Sequence, residues 1–118
     1  METHYKLLTA IFLSIMMLSL VSAISLSSPS SVNLNENFNL QISGSGFYAL
    51  EITIPQAFQI VSDSSGGVRT GDLYKTVTTG SLTVVLRGTQ IGSYTILGQY
   101  TDGNGIQNLN SKTIQISQ

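Results

Sequence analysis

The chain has 118 residues, of which 42% are hydrophobic and only 9% charged, with a formal net charge of −1. That length suits one domain, and a charged fraction far under the usual figure of about 25% describes a neutral, polar surface. The few basic residues do not cluster, which removes the electrostatic footprint of a nucleic-acid binder, and the absence of cysteine removes disulfides and thiol chemistry.

Met1 to Ala23 opens with a short front carrying Lys6, followed by an apolar run from Leu7 to Val21 and a small residue, Ala23. This pattern predicts a secretory signal peptide over residues 1–23, cut before Ile24, because small side chains precede the cleavage point. The run of about fifteen to eighteen apolar or small residues lies at the lower edge of what spans a bilayer, so an uncleaved N-terminal anchor is the competing reading. Either way residues 24–118 are expected to form a domain outside the cytoplasm, secreted, extracellular or at the cell surface. Contact with a membrane would then come only through the first segment. The single histidine, His4, and all three methionines leave with that segment. What remains is about 95 residues that must rely on a core and sheet hydrogen bonds for stability.

Within that domain Ile24 to Leu26 is a short apolar start, and Pro29, which lacks the N–H a central strand needs, marks an edge segment or a strand that changes partner. Val32 to Leu34 leads through Asn35-Glu36-Asn37 to Phe38, Leu40 and Ile42, an arrangement that predicts a hairpin with a half-buried second strand. After the flexible Ser43-Gly44-Ser45-Gly46, the alternation of Tyr48, Leu50, Ile52 and Ile54 predicts a strand ended by Pro55. Its other face, Phe47, Ala49, Glu51 and Thr53, is mixed enough to meet solvent. Phe58, Ile60 and Val61 make a short element, and Ser62 to Gly71 has the composition of an exposed, mobile loop. Asp72 to Thr78 is a weaker strand around Leu73, Tyr74 and Val77, turned at Thr79-Gly80.

Ser81 to Gly105 states the fold most clearly. Leu82, Val84 and Leu86 alternate on one strand, and Tyr94, Ile96 and Tyr100 share a face of the next. Asp102-Gly103-Asn104-Gly105 predicts a tight hairpin turn, and Ile106 to Ser117 a closing strand. The prediction is an all-β protein, a two-sheet β-sandwich of about seven strands with turn signals every eight to twelve residues.

Gly92-Ser93-Tyr94 resembles the immunoglobulin-type corner, in which a tyrosine at the start of the penultimate strand bonds back to the chain. Gln90 stands where that pattern has Asp and Ile96 where it has Cys, so the resemblance implies the corner without the inter-sheet disulfide. Over Pro29 to Ser117 the sequence resembles immunoglobulin-like modules of prokaryotic extracellular proteins, through SVNLNENFNLQIS, GSYTILGQYTDGNG and TIQIS. It is similar to chagasin-type protease inhibitors only as a sandwich, since Ser43-Gly44-Ser45-Gly46-Phe47 and Thr101-Asp102-Gly103-Asn104 replace their inhibitory loops.

Residues 24–118 contain neither His nor Cys, so nucleophile–base pairs cannot be assembled and the usual zinc ligands are missing. The acids sit singly and no tryptophan accompanies them, against a glycosidase site, and Asp102 to Gly105 lacks the spaced oxygen ligands of a calcium loop. An isopeptide crosslink from Lys75 or Lys112 would require both a neighbouring Asn and a buried acid; solvated lysines that discourage edge pairing are the plainer reading. At least five of the seven aromatics are expected to pack in the core.

The sequence therefore predicts no enzyme: no catalytic residue, no cofactor and no metal. It predicts a non-enzymatic exported domain acting by protein–protein contact. One form of this is a self-assembling filament or surface-layer subunit, with Ile24 to Leu26 donated to a neighbour, set against an ordinary first strand on its own domain. The alternative is an extracellular carbohydrate-binding module using the Ser62 to Gly71 loop or the Phe47-Tyr48 edge.

Overall fold

Alternation of apolar and polar side chains gives strands wherever one face can be buried, and among the described residues strands are the only regular structure. The computed structural model describes residues 24–118; the predicted signal segment lies outside them. In chain order the strands are β1 (Ser25–Ser27), β2 (Ser31–Asn33), β3 (Asn37–Ser43), β4 (Phe47–Thr53), β5 (Phe58–Asp63) and β6 (Val68–Thr70). They continue with β7 (Leu73–Thr79), β8 (Leu82–Gly88), β9 (Gly92–Asp102), β10 (Gly105–Asn108) and β11 (Lys112–Ser117). Seven of these, β3, β4, β5, β7, β8, β9 and β11, are six residues or longer and match the expected number. The other four are three- or four-residue pieces at edges.

The strands form a two-sheet sandwich. The smaller sheet has the order β1-β3-β8-β5, and the larger β2-β11-β9-β4-β7-β6 with β10 beside β9. Inward residues from both sheets make one core. Leu40, Ile42, Val84 and Leu86 from the smaller sheet meet Leu50, Ile52, Tyr74, Ile96, Ile114 and Ile116 from the larger. Five aromatics, Phe38, Tyr48, Phe58, Tyr74 and Tyr100, are buried, as their spacing implied.

Pro29 is where the chain changes sheet: β1 pairs with β3, and β2 pairs in parallel with β11. Asn35 takes the left-handed backbone expected of it, with φ 63°. The predicted hairpin is nevertheless absent, because β2 and β3 belong to different sheets. Val32 and Phe38 both face the core, but from opposite walls, which the alternation of a single strand cannot reveal.

The closing strand is broken in two. Asn108 pairs with Gln99 and Lys112 with Ile96, so four steps on one strand oppose three on β9, the geometry of a β-bulge. Leu109 is turned inward by the bulge and lies over Gly98, where an added Cβ would come within 3.0 Å of it and 2.9 Å of the Glu51 carbonyl. Asn110, next in the bulge, uses its side-chain amide to accept from Leu26 N–H at 2.9 Å and to donate to Leu26 C=O at 2.8 Å. β1 is thereby held on its own domain on both edges.

At the corner, Tyr94 donates its hydroxyl to the Ile91 carbonyl at 3.0 Å, the bond that Gly-x-Tyr had implied. Gly92 permits it: its φ is 147° and a Cβ would meet the Tyr94 ring.

Candidate functional site

Two features of this sandwich go beyond ordinary packing: a bonded segment between β5 and β7, and an apolar outer face on the larger sheet. The first, Ser62 to Gly71, was predicted as an open loop. It instead contains the end of β5, a tight turn and β6, paired to β7 from Val68 to Thr70. The turn is organised by Asp63, whose Oδ1 accepts from the Ser65 and Gly67 N–H groups at 3.0 and 3.1 Å, the Ser65 hydroxyl at 3.1 Å and the Gly66 N–H. An Asp followed by Ser and Gly is a known turn former, so this signal was readable. Ser65 continues the network to Thr76 at 2.6 Å and Tyr74 at 3.1 Å.

Desolvation pushes the Asp63 carboxyl upward, but the bonds from Gly67, Ser65 and Gly66 outweigh it and hold the group below its ordinary value. A depressed folded value stabilises the fold fully above the unfolded carboxyl's range, near about 3.9, and the contribution is lost as the pH falls through the folded value. Asp63→Asn should therefore lower the urea midpoint at pH 7, with the gap to the parent narrowing as the pH is lowered through the carboxyl's depressed folded value. An equal midpoint at pH 7 would contradict this role.

Arg69 sits in β6, and among the described residues it has no carboxylate partner. Its guanidinium donates to the carbonyls of Phe58 at 2.7 Å, Ile54 at 2.9 Å and Pro55 at 3.0 Å, and its Nε to Gly71 at 3.0 Å. It ties the β4–β5 connection to the β6 edge. Nothing in its sequence surroundings marks this role.

The second feature follows from register. Side chains directly opposite each other share a face, so the outer face of β6-β7-β4-β9-β10 reads as rows across the sheet. One row is Val68, Lys75, Glu51, Gln99 and Asn108; beside it lie Val77, Ala49, Thr101 and Ile106 on one side and Thr70, Leu73, Thr53 and Leu97 on the other. Phe47 with Thr79 closes the end. Phe47 and Ile106 are each 69% exposed, Val68 67%, Val77 55% and Leu97 52%. Two shallow depressions flank Glu51: one of about 280 Å³ reaches Val68, Lys75 and Val77, the other of about 250 Å³ reaches Leu73, Leu97 and Gln99. In the central row Lys75 Nζ lies 3.6 Å from Glu51 Oε1, and Gln99 donates to Glu51 Oε2 at 3.1 Å.

The β4 half of this face was expected to meet solvent; Val77, one of the residues around which the neighbouring strand was read, is exposed beside it. Tyr48 is buried, as its alternation with Leu50 and Ile52 implied, and donates its hydroxyl to Gly80 C=O at 2.6 Å, so of the Phe47-Tyr48 edge offered as a carbohydrate contact only Phe47 can touch a ligand. Lys75 is exposed in its ion pair, away from the core an isopeptide crosslink would need. Among the described residues no three His, Cys, Asp or Glu gather as a metal site would require.

Fold and site together define a class: an all-β, two-sheet sandwich domain whose distinctive surface is an apolar sheet face with one ion pair at its centre. The chain belongs to the BatD family, since the model for the BatD DUF11 like domain matches residues 25–117. Among solved structures it is similar to a protein described as membrane anchored from Corynebacterium diphtheriae, with a TM-score of 0.52 and 13% identity. That match covers 79% of this chain but 31% of the other, so the chain spans about a third of that protein, and the likeness is one of fold. A superoxide reductase from Ignicoccus hospitalis aligns with a TM-score of 0.46 and 12% identity over 78% of each chain. No curated protein matches.

Proposed function

We propose that residues 24–118 are an immunoglobulin-like domain exported to the cell envelope, where it acts by protein contact and not by catalysis. The observation that carries this reading is the outer face of the larger sheet, which sets five large apolar side chains in water on rigid strands. The strand order supports the immunoglobulin-like assignment. With β1, β3, β8 and β5 as strands A, B, E and D, and β11, β9 and β4 as G, F and C, both sheets follow the constant-type arrangement. The β6–β7 hairpin is then an addition beyond strand C, and the Tyr94 bond is the corner of strand F.

Export is supported by the signal-like segment at residues 1–23 and by the described membrane anchoring of the Corynebacterium protein. In a bacterial host, protease added to cells with a permeabilised outer layer should remove the domain while a cytoplasmic marker survives. A domain protected together with that marker would overturn the reading. Substantial hydrolysis of a peptide, ester and glycoside panel by the purified chain would overturn its non-catalytic half.

A further inference from the structure

The lateral edges of the sandwich are poorly suited to strand addition. β1 has its outer backbone groups at Leu26 taken by Asn110. β5 carries a bulge at Val61, between the Ile60–Leu86 and Ser62–Val85 pairs. β2 and β6 are three residues each, and β6 is fastened by Arg69. Short, bulged and side-chain-capped edges are devices that suppress edge pairing. Apart from the four-residue β10, these edges leave a face as the surface for association, and the larger sheet offers two unlike halves. The β11 half presents Thr113, Gln115, Thr95 and Ser93, all polar, with Thr95 and Thr113 bonded to each other at 2.9 Å. The β4–β7 half presents the apolar rows around Glu51 and Lys75.

We propose that this β4–β7 face is a self-association surface that receives a second copy of the chain across a two-fold axis running along the strands between β4 and β7. The inference rests on the protein-contact reading and names its partner. Rotation about such an axis lays β4 of one copy over β7 of the other at the same level along the strands. Because Glu51 and Lys75 are directly opposite in register, Glu51 then faces the partner's Lys75, and Lys75 faces the partner's Glu51. By the same register Ala49 meets the partner's Val77, Thr53 the partner's Leu73 and Phe47 the partner's Thr79. The two charges of these rows are thus complementary to themselves, as an isologous interface demands. A strongly acidic or basic partner would leave one of them facing its own sign, and a chain that is 9% charged with net charge −1 repels its own copy little.

Exchanging charges between copies tests this, because it separates pairing between chains from the ion pair within one. In Glu51→Lys each copy sets two lysines against the same pair on its neighbour, and in Lys75→Glu two carboxylates; an equimolar mixture of the two variants restores opposite charges at both contacts. By sedimentation equilibrium of the purified chain, the parent should form a concentration-dependent dimer. Each variant alone should associate at least roughly tenfold more weakly, and the mixture should recover dimer. Thermal melts of the separate variants confirm that each is folded. A parent that stays monomeric into the millimolar range, or a mixture no more associated than its components, would overturn the self-pairing. Either result with the domain still at the envelope leaves the contact reading standing, whereas a domain retained in the cytoplasm removes both.

Discussion

Phe58→Ala is expected to destabilise the domain by about 3–5 kcal/mol, a large part of the whole stability of a domain this size. The ring is 1% exposed at the first position of β5 and sits between two others. Its centroid lies 5.7 Å from Phe38 at 74° and 5.7 Å from Tyr94 at 76°, both edge-to-face. Phe38 and Phe58 belong to the smaller sheet and Tyr94 to the larger, so the trio joins the two walls beside the Tyr94 corner. Truncation removes the middle ring, leaves a void between sheets held apart by their own ladders, and forfeits two aromatic contacts worth about 0.5–1.5 kcal/mol each within that total. Phe58→Leu should cost clearly less because it refills most of the space. Urea unfolding followed by tyrosine fluorescence measures both, and a loss under about 1 kcal/mol for the alanine variant would show that the sheets close over the gap.

The second large effect is expected at Arg69, from hydrogen bonding and not from apolar burial. Arg69→Ala leaves the carbonyls of Ile54, Pro55 and Phe58 without their charged donor and frees β6 from the β4–β5 connection. Bonds to a charged group contribute about 1.5–3 kcal/mol apiece, but water can reach part of this site, so about 2–4 kcal/mol is expected for the whole residue. That corresponds to a fall in Tm of roughly 10–20 °C for a domain of this length. Arg69→Lys should recover little, since a single ammonium cannot span carbonyls that the planar fork reaches together. Full recovery by lysine would show that charge, and not geometry, is what the site requires. Both variants should also raise amide exchange across β6 and its pairing with β7, whereas Phe58→Ala should raise it across the whole domain.

Much of the sandwich was legible because alternation reports which side chains share a face. Phe38, Leu40 and Ile42 of β3 and Leu82, Val84 and Leu86 of β8 are buried as their spacing requires, and Tyr94, Gly92 and Asp102 to Gly105 make the corner and turn their residue types imply. Turn chemistry is local, set by one or two φ values and a nearby donor. For the same reason the expected first hairpin failed: Asn35 does turn the chain, but a turn does not say whether the strands on its two sides pair or separate into different sheets.

The candidate site was legible only in part, for a related reason. The solvent-facing side of β4 could be named from Phe47, Ala49, Glu51 and Thr53, yet a face is made of rows, and rows exist only once register joins Val77 to Ala49, Lys75 to Glu51 and Ile106 to Thr101. Arg69 reaching carbonyls eleven to fifteen residues away, and Asn110 reaching Leu26 across 84 residues, are likewise invisible in local pattern. Residue order alone thus established strand class, the buried side of most strands, the turns, and an inventory from residue 24 onward that lacks His and Cys. The pairing of strands, the bulge that seats Leu109, the closed edges and the apolar face come from long-range packing, where the energy of a contact depends on which distant strand the fold brings alongside.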